Sequence, residues 1–181
     1  MKNDMARVLL TEDQIQARVR ELSKQITEDY REKDPVLICI LNGAVMFYAD
    51  LVRNIGTHIA MDFMAVSSYG NSTKSSGEVE IRKDLSKPVD GRHVIIVEDI
   101  VDSGFTLTYL TRLLRSRGTR SIEICTLLDK PTRRAPGIRL DIRYTGFEIE
   151  NEFVVGYGLD YAERYRNLPF IGVLKPEIYE S

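Results

Sequence analysis

Three carboxylates within five positions, Glu98, Asp99 and Asp102, stand directly after the apolar run at 94–97, and Ser103, Gly104, Phe105 and Thr106 follow at once. That order suits one kind of chemistry. Adjacent carboxylates at a strand end can grip a vicinal diol or hold a hydrated Mg²⁺. Alternation along an extended chain sends Glu98 and Asp99 to opposite sides. A turn that feeds a helix offers free amides and the positive end of the helix dipole. With the hydroxyls of Ser103 and Thr106 beside them, these can cradle a phosphate, and Gly104 lets the backbone come close. A diol grip beside a phosphate cup describes a ribose 5-phosphate. Taken singly, Asp102 or Ser103 also reads as a helix cap, and the acidic pair as solvated charge. Other phosphate patterns fail: G-x-x-x-x-G-K-[ST] is absent, and Tyr161 stands where the fingerprint begun by Gly156-x-Gly158 needs a third Gly.

Such a segment needs a buried strand before it and a helix behind it. The sequence predicts a strand at 94–97, a helix at 104–117 closed by Gly118, and a further strand at 122–128. Upstream, Thr11 and Gln14 form a capping box, flanked by Leu10 and Ile15 at the positions of a hydrophobic staple. Ile15, Val19, Leu22, Ile26 and Tyr30 then recur at helical spacing to about Lys33, before Pro35. Val36–Leu41 reads as a strand buried on both faces, broken by Asn42-Gly43. A helix at 44–54 and a strand at 59–69 follow. Residues 70–77 contain no apolar side chain and read as a solvated hairpin tip or as a lid. Short strands are expected at 140–145, 153–155 and 170–173. This alternation argues for an α/β fold around a mostly parallel sheet flanked by helices.

Composition bounds the rest. The 181 residues suit one domain, since domains run to roughly 100–200 residues. Hydrophobic residues at 43% and charged residues at 29% exclude a mainly disordered chain. A net charge of -2 leaves no footprint of a general nucleic-acid binder. No apolar run approaches the roughly 18–20 residues that span a bilayer. MKNDMARVLL lacks the core of a secretory signal, so a cytoplasmic setting is expected. Cys39 and Cys125 lie inside apolar runs and read as core thiols. The two histidines, His58 and His93, sit in unremarkable segments, which makes cysteine–histidine chemistry and zinc binding poor fits.

With these motifs in order, the chain resembles the type I phosphoribosyltransferases, and within them the bacterial hypoxanthine–guanine branch, from about Leu37 to Val173. The segment at 94–106 is similar to the family's phosphoribosyl-pyrophosphate motif. Leu41-Asn42-Gly43-Ala44 resembles its pyrophosphate loop, and Ser68-Tyr69 the opening of its catalytic lid. Leu128-Asp129-Lys130-Pro131 resembles its base-recognition turn, and residues 153–161 its purine-binding signature. Asn42 departs from the Lys or Arg of many relatives, and Phe105 from the Lys of some.

The resemblance implies a single domain over 1–181 with a core at about 36–150 and a small hood built from both terminal segments. It implies Mg²⁺-dependent transfer of a 5-phosphoribosyl group to N9 of a 6-oxopurine, in a homodimer or homotetramer without nucleic-acid or membrane partners. Glu98 and Asp99 would hold the ribose hydroxyls, and Ser103, Gly104, Phe105 and Thr106 the 5-phosphate. Asp102 would be the general base or acid, with Ser68 and Tyr69 as further catalytic residues on the lid. Leu41, Asn42, Gly43 and Arg166 would bind pyrophosphate. Ile100, Lys130, Phe153, Val154 and Leu159 would bind the purine, Lys130 at its 6-oxo group and Phe153 by stacking. Glu98, Asp99 and Asp160 would meet the metal. Two rivals remain on sequence grounds. One is an RNA-binding regulator of the same fold, with Arg112, Arg115, Arg117 and Arg120 as its basic face; the other is a phospho-acceptor signalling domain.

Overall fold

The computed structural model describes residues 1–68 and 79–180, so Tyr69 and the polar stretch at 70–77 lie outside the described residues. Among the described residues, nine strands and four α-helices follow one another as β1 (Met5–Leu10), α1 (Glu12–Asp29), β2 (Val36–Leu41), α2 (Val45–Asn54), β3 (Ala60–Ser68), β4 (Val79–Lys83), β5 (His93–Val101), α3 (Phe105–Ser116), β6 (Ser121–Asp129), β7 (Tyr144–Glu148), β8 (Val154–Val155), β9 (Ile171–Leu174) and α4 (Pro176–Tyr179). Six strands form the main sheet in the order β4-β3-β2-β5-β6-β7. All its pairings are parallel except β3 with β4. A second, antiparallel sheet of order β1-β9-β8 joins the two ends of the chain.

The main sheet is apolar on both faces because β2 and the 94–97 stretch of β5 are apolar at every position. Leu37, Cys39, Ile95 and Val97 pack against α1 and α2, whereas Ile38, Ile40, Val94 and Ile96 pack with Leu107, Leu110 and Leu114 of α3. Both cysteines are free and buried, as their apolar settings suggest. Burial pushes the Cys39 thiol up to about 12, with the nearby Glu98 and Asp99 adding to the rise. The second sheet lies on the α1/α2 side, where Leu10, Val154, Ile171 and Val173 share that cluster.

Chain order and sheet order together create a crevice. From β2 the chain goes to β3 on one side, then crosses to β5 on the other, and ligands in open α/β sheets settle at such a switch point. The pairing shows the split: β2 and β5 stay in register only through Cys39 and Val97, while β5 and β6 continue to Val101 and Asp129.

Several expected elements shift. Helix α1 stops at Asp29 rather than near Lys33, because Glu32 and Asp34 adopt left-handed φ angles of 62° and 44°. The strand expected at 140–145 starts only at Tyr144; Leu140 and Ile142 are part-buried against the α3 side from a loop instead. Strand β5 runs past Val97 to Val101, so Glu98 and Asp99 sit inside it. Strands β1 and β4 and helix α4 carried no sequence signal that was read as an element.

The cap of α1 is formed as expected: Gln14 N–H donates to Thr11 Oγ1 at 3.2 Å, and Thr11 N–H donates to Gln14 Oε1 at 2.9 Å. Thr11→Ala is expected to lower unfolding stability by about 1 kcal/mol in urea titrations. An unchanged midpoint would show that the box contributes nothing.

Candidate active site

The carboxyl ends of four parallel strands meet at one edge of the main sheet, and they bring Leu41-Asn42-Gly43, Ser68, Glu98 to Asp102, and Asp129-Lys130 together. A cavity of about 270 Å³ opens there, lined by Leu41, Gly43, Glu98, Asp99, Ile100, Asp102, Ser103, Gly104 and Thr106 of the expected residues. Ile40, Val66, Val101 and Leu107, which the sequence did not single out for the site, complete its apolar wall.

Glu98 and Asp99 line this one cavity instead of facing opposite sides of the sheet. The face alternation slips at this point. Ile100 packs with the α1/α2 cluster, where Val97 already lies, and Val101 with the α3 cluster. Glu98 is buried, and its Oε1 accepts from the Asp99 amide at 3.1 Å. Asp99 Oδ1 accepts from the Ile100 amide at 2.6 Å. Burial drives the Glu98 carboxyl well above the usual carboxylate range, and the neighbouring Asp99 charge pushes it further. Burial also raises Asp99, against the pull of its hydrogen bonds and of the Arg166 charge. A Cβ on Gly43 would overlap the Asp99 carboxylate, so only glycine lets the β2–α2 turn lie this close.

The phosphate cup is built and braced. Gly104 caps α3 at a φ of 86°, and a Cβ there would press on Ile138 and Leu140 at 2.8 and 2.9 Å. Its glycine therefore answers to backbone shape and to its protein neighbours as much as to any ligand. Ser103 C=O accepts from the Ala135 amide at 3.0 Å. Arg134, which no sequence signal marked, donates to the Asp102 carbonyl at 2.9 Å and to Asp129 Oδ1 at 2.5 Å, tying the ends of β5 and β6 together. Its neighbour Arg133 donates to Asp102 Oδ1 at 3.0 Å in an exposed pair. Phe105 opens α3, with its amide 3.5 Å from Ser103 Oγ.

Of the expected residues, Asn42, Phe105, Lys130, Phe153, Val154, Leu159, Asp160 and Arg166 do not line this cavity, and most of them fall in two further groups. On one side the Lys130 amide donates to the Val101 carbonyl at 3.0 Å, and Lys130 Nζ donates to the Glu152 carbonyl at 2.8 Å. Burial pulls the Lys130 ammonium below its ordinary value, while Asp102 and Glu152 pull it back up. Phe153 follows Glu152 and stays 38% exposed. The Val154 and Leu159 side chains are buried in the α1/α2 cluster, so only their backbones could meet a ligand. On the other side Arg166 donates to the Gly158 carbonyl at 2.6 Å and pairs with Asp160 at 2.9 Å. Gly158, at a φ of 100°, lies so close to the Gly43 carbonyl that a Cβ would overlap it. The Tyr157 hydroxyl, within the 153–161 signature, donates to Asp50, which fixes this loop to α2; Asp50 was not expected at the site. Asn42 is exposed, and Ser68 ends β3 at the same edge.

The family model of the phosphoribosyl transferase domain matches residues 9–162 of the chain. The hypoxanthine-guanine phosphoribosyltransferase of Bacillus subtilis (strain 168) is 57% identical over 181 residues, which is 100% of this chain and 99% of that protein. The bifunctional protein TilS/HprT of Listeria innocua serovar 6a is 55% identical over the same span, which fills 28% of that protein. Among solved structures, a hypoxanthine phosphoribosyltransferase from Staphylococcus aureus has a TM-score of 0.96 at 52% identity, covering 100% of this chain and 97% of that one.

The buried acidic pair has a consequence for stability. Both carboxyls are raised on folding, so the folded chain holds more protons than the unfolded one across that interval, and stability falls as pH rises through it. Glu98→Gln with Asp99→Asn removes that penalty. Melting at pH 8 should rise by about 2–4 °C, the shift that roughly 1 kcal/mol makes in a chain of this size, and the gain should shrink toward pH 4. A melting point that drops at pH 8 would contradict this.

Proposed function

The chain belongs to the phosphoribosyltransferase family, and on that premise we propose that it is a purine-salvage enzyme acting on hypoxanthine and guanine. It transfers the 5-phosphoribosyl group of phosphoribosyl pyrophosphate to purine N9 and releases pyrophosphate. One observation carries this reading: the acidic pair and the hydroxyl-lined helix cap line the same cavity at the sheet's switch point.

Each group then has a task. Glu98 and Asp99 accept from the two ribose hydroxyls, exchanging a costly desolvated state for charge-assisted hydrogen bonds. The α3 amides, Ser103 and Thr106 hold the 5-phosphate. The backbone amides of the Leu41-Asn42-Gly43 turn meet pyrophosphate, together with Arg166. Asp102 takes the proton from the purine ring and so raises its nucleophilicity. Lys130 spends one donor on Glu152 and has others for the 6-oxo group. A 6-amino purine presents donors to that donor and is rejected. Ile100 and Phe153 bound the ring, and the backbones of Val154 and Leu159 lie along its edge. Ser68 and Tyr69 are further catalytic residues on this reading, with Tyr69 outside the described residues.

Magnesium fits the donor set in one particular way. Among the described residues no group of three or more His, Cys, Asp or Glu could hold a metal together, so Glu98, Asp99 and Asp160 do not make one protein-only cage. Mg²⁺ commonly uses one or two carboxylates plus water and substrate phosphate, which these residues can provide: Asp160 near pyrophosphate, and Glu98 and Asp99 near the ribose hydroxyls. Bound there it would neutralise charge developing on the leaving pyrophosphate. The second sheet and its loops serve as the hood over a core at about 36–150. We place the enzyme in the cytoplasm as a homodimer or homotetramer; no helix among the described residues is long and apolar enough to cross a membrane.

Given Mg²⁺ and phosphoribosyl pyrophosphate, the protein should consume hypoxanthine or guanine and leave adenine untouched, followed by ultraviolet absorbance. EDTA should abolish turnover. Use of adenine alone, or metal-independent turnover, would overturn the reading. Asp102→Asn should lower kcat at least about tenfold, given the roughly 10²–10⁴-fold that general-base catalysis contributes. An unimpaired variant would remove Asp102 from the mechanism.

A further inference from the structure

Phe153 is a large apolar ring left partly open, outside the residues that line the cavity, and the chain holds it in place from several sides. Its carbonyl accepts from the Leu174 amide at 2.9 Å, and the preceding Glu152 is gripped twice, by Lys130 through its carbonyl and by Arg7 through its carboxylate at 2.5 Å. The ring itself is held by two tyrosines. Tyr161 meets it edge to face, with centroids 5.7 Å apart at 86°. Tyr179 stacks on it, with centroids 4.6 Å apart at 17°.

Tyr179 is the last residue of α4, a four-residue helix that has no side-chain cap. That helix is anchored at its start, where the Lys175 amide donates to the Asp4 carbonyl at 3.0 Å. Ile178 and Tyr179 then pack against the small cluster of Met5, Val155, Tyr165, Leu168, Phe170 and Leu174. The C-terminal segment therefore reaches back across the second sheet and ends on the Phe153 ring.

We propose that Tyr179 is a positioning residue for the purine: by occupying one face of Phe153 it fixes the ring so that the other face receives the base. The proposal rests on the phosphoribosyltransferase reading above. An aromatic ring stacked on one side loses its freedom to swing before the ligand arrives, so the ligand does not bear that ordering cost. The effect falls on base affinity. The sugar and the phosphates bind at the sheet edge, away from this ring, and do not feel it.

The test is steady-state kinetics of the full chain with both substrates varied, on Tyr179→Leu, Tyr179→Phe and, as a bulkier apolar variant if Leu fails to fold, Tyr179→Met. Removing the ring should raise KM for hypoxanthine about 2–10-fold, the range set by aromatic pair energies. KM for phosphoribosyl pyrophosphate and kcat should stay within about twofold, and Tyr179→Phe should restore the wild-type KM. An unchanged KM for the base, a fall in it, or an equal rise for both substrates would overturn the proposal. A wild-type protein that turns over no 6-oxopurine would instead defeat the reading beneath it.

Discussion

Two carboxylates sit side by side at the end of a buried strand, and among the described residues neither forms an ion pair at close range. Burial raises both Glu98 and Asp99, and the Asp99 charge pushes Glu98 further. Such a pair is tolerable only where a ligand with hydroxyl donors, or a proton, relieves it. The rest of the structure keeps it there. The register of β5 with β6 carries the strand on past the point where β2 turns away, Gly43 leaves room beside Asp99, and Arg134 locks the following turn. Destabilisation confined to one spot on a rigid frame is common at active sites.

The two sheets divide the labour. On the proposed reading the main sheet supplies the sugar and phosphate positions, from strand ends that cannot shift without disturbing a core buried on both faces. On the proposed reading the second sheet supplies the wall for the base; it shares the α1/α2 apolar cluster with the main sheet and meets it where Lys130 bonds Glu152 and where Gly158 lies on Gly43. Side chains of very different chain position thus converge on one crevice. A two-substrate transfer requires this, since the base and the sugar carbon must meet in a fixed orientation.

Much of this was legible in the sequence, and the exceptions have physical causes. The order from Glu98 to Thr106 could be read because strand, turn and helix are contiguous, and each leaves a local pattern. The central strands and α1, α2 and α3 were legible for the same reason. Strand β1 was not, because its partner β9 lies at the far end of the chain and periodicity says nothing about distant pairing. The shared direction of Glu98 and Asp99 was missed because a slip in face alternation has no residue signature. Arg134 and Tyr157 act through contacts that only the folded chain creates, and a lone Arg or Tyr in a turn carries no such message. Leu140 was read as strand when it is apolar for packing from a loop.

The most direct test of this account is equilibrium binding of ribose 5-phosphate against 2-deoxyribose 5-phosphate, measured calorimetrically on the intact protein. If the acidic pair grips the sugar hydroxyls, loss of one hydroxyl should weaken binding at least about tenfold, as expected for a hydrogen bond to a charged group. The difference should vanish when Glu98→Gln and Asp99→Asn are combined. Equal affinity of the two sugars for the unaltered protein would contradict the account at its root.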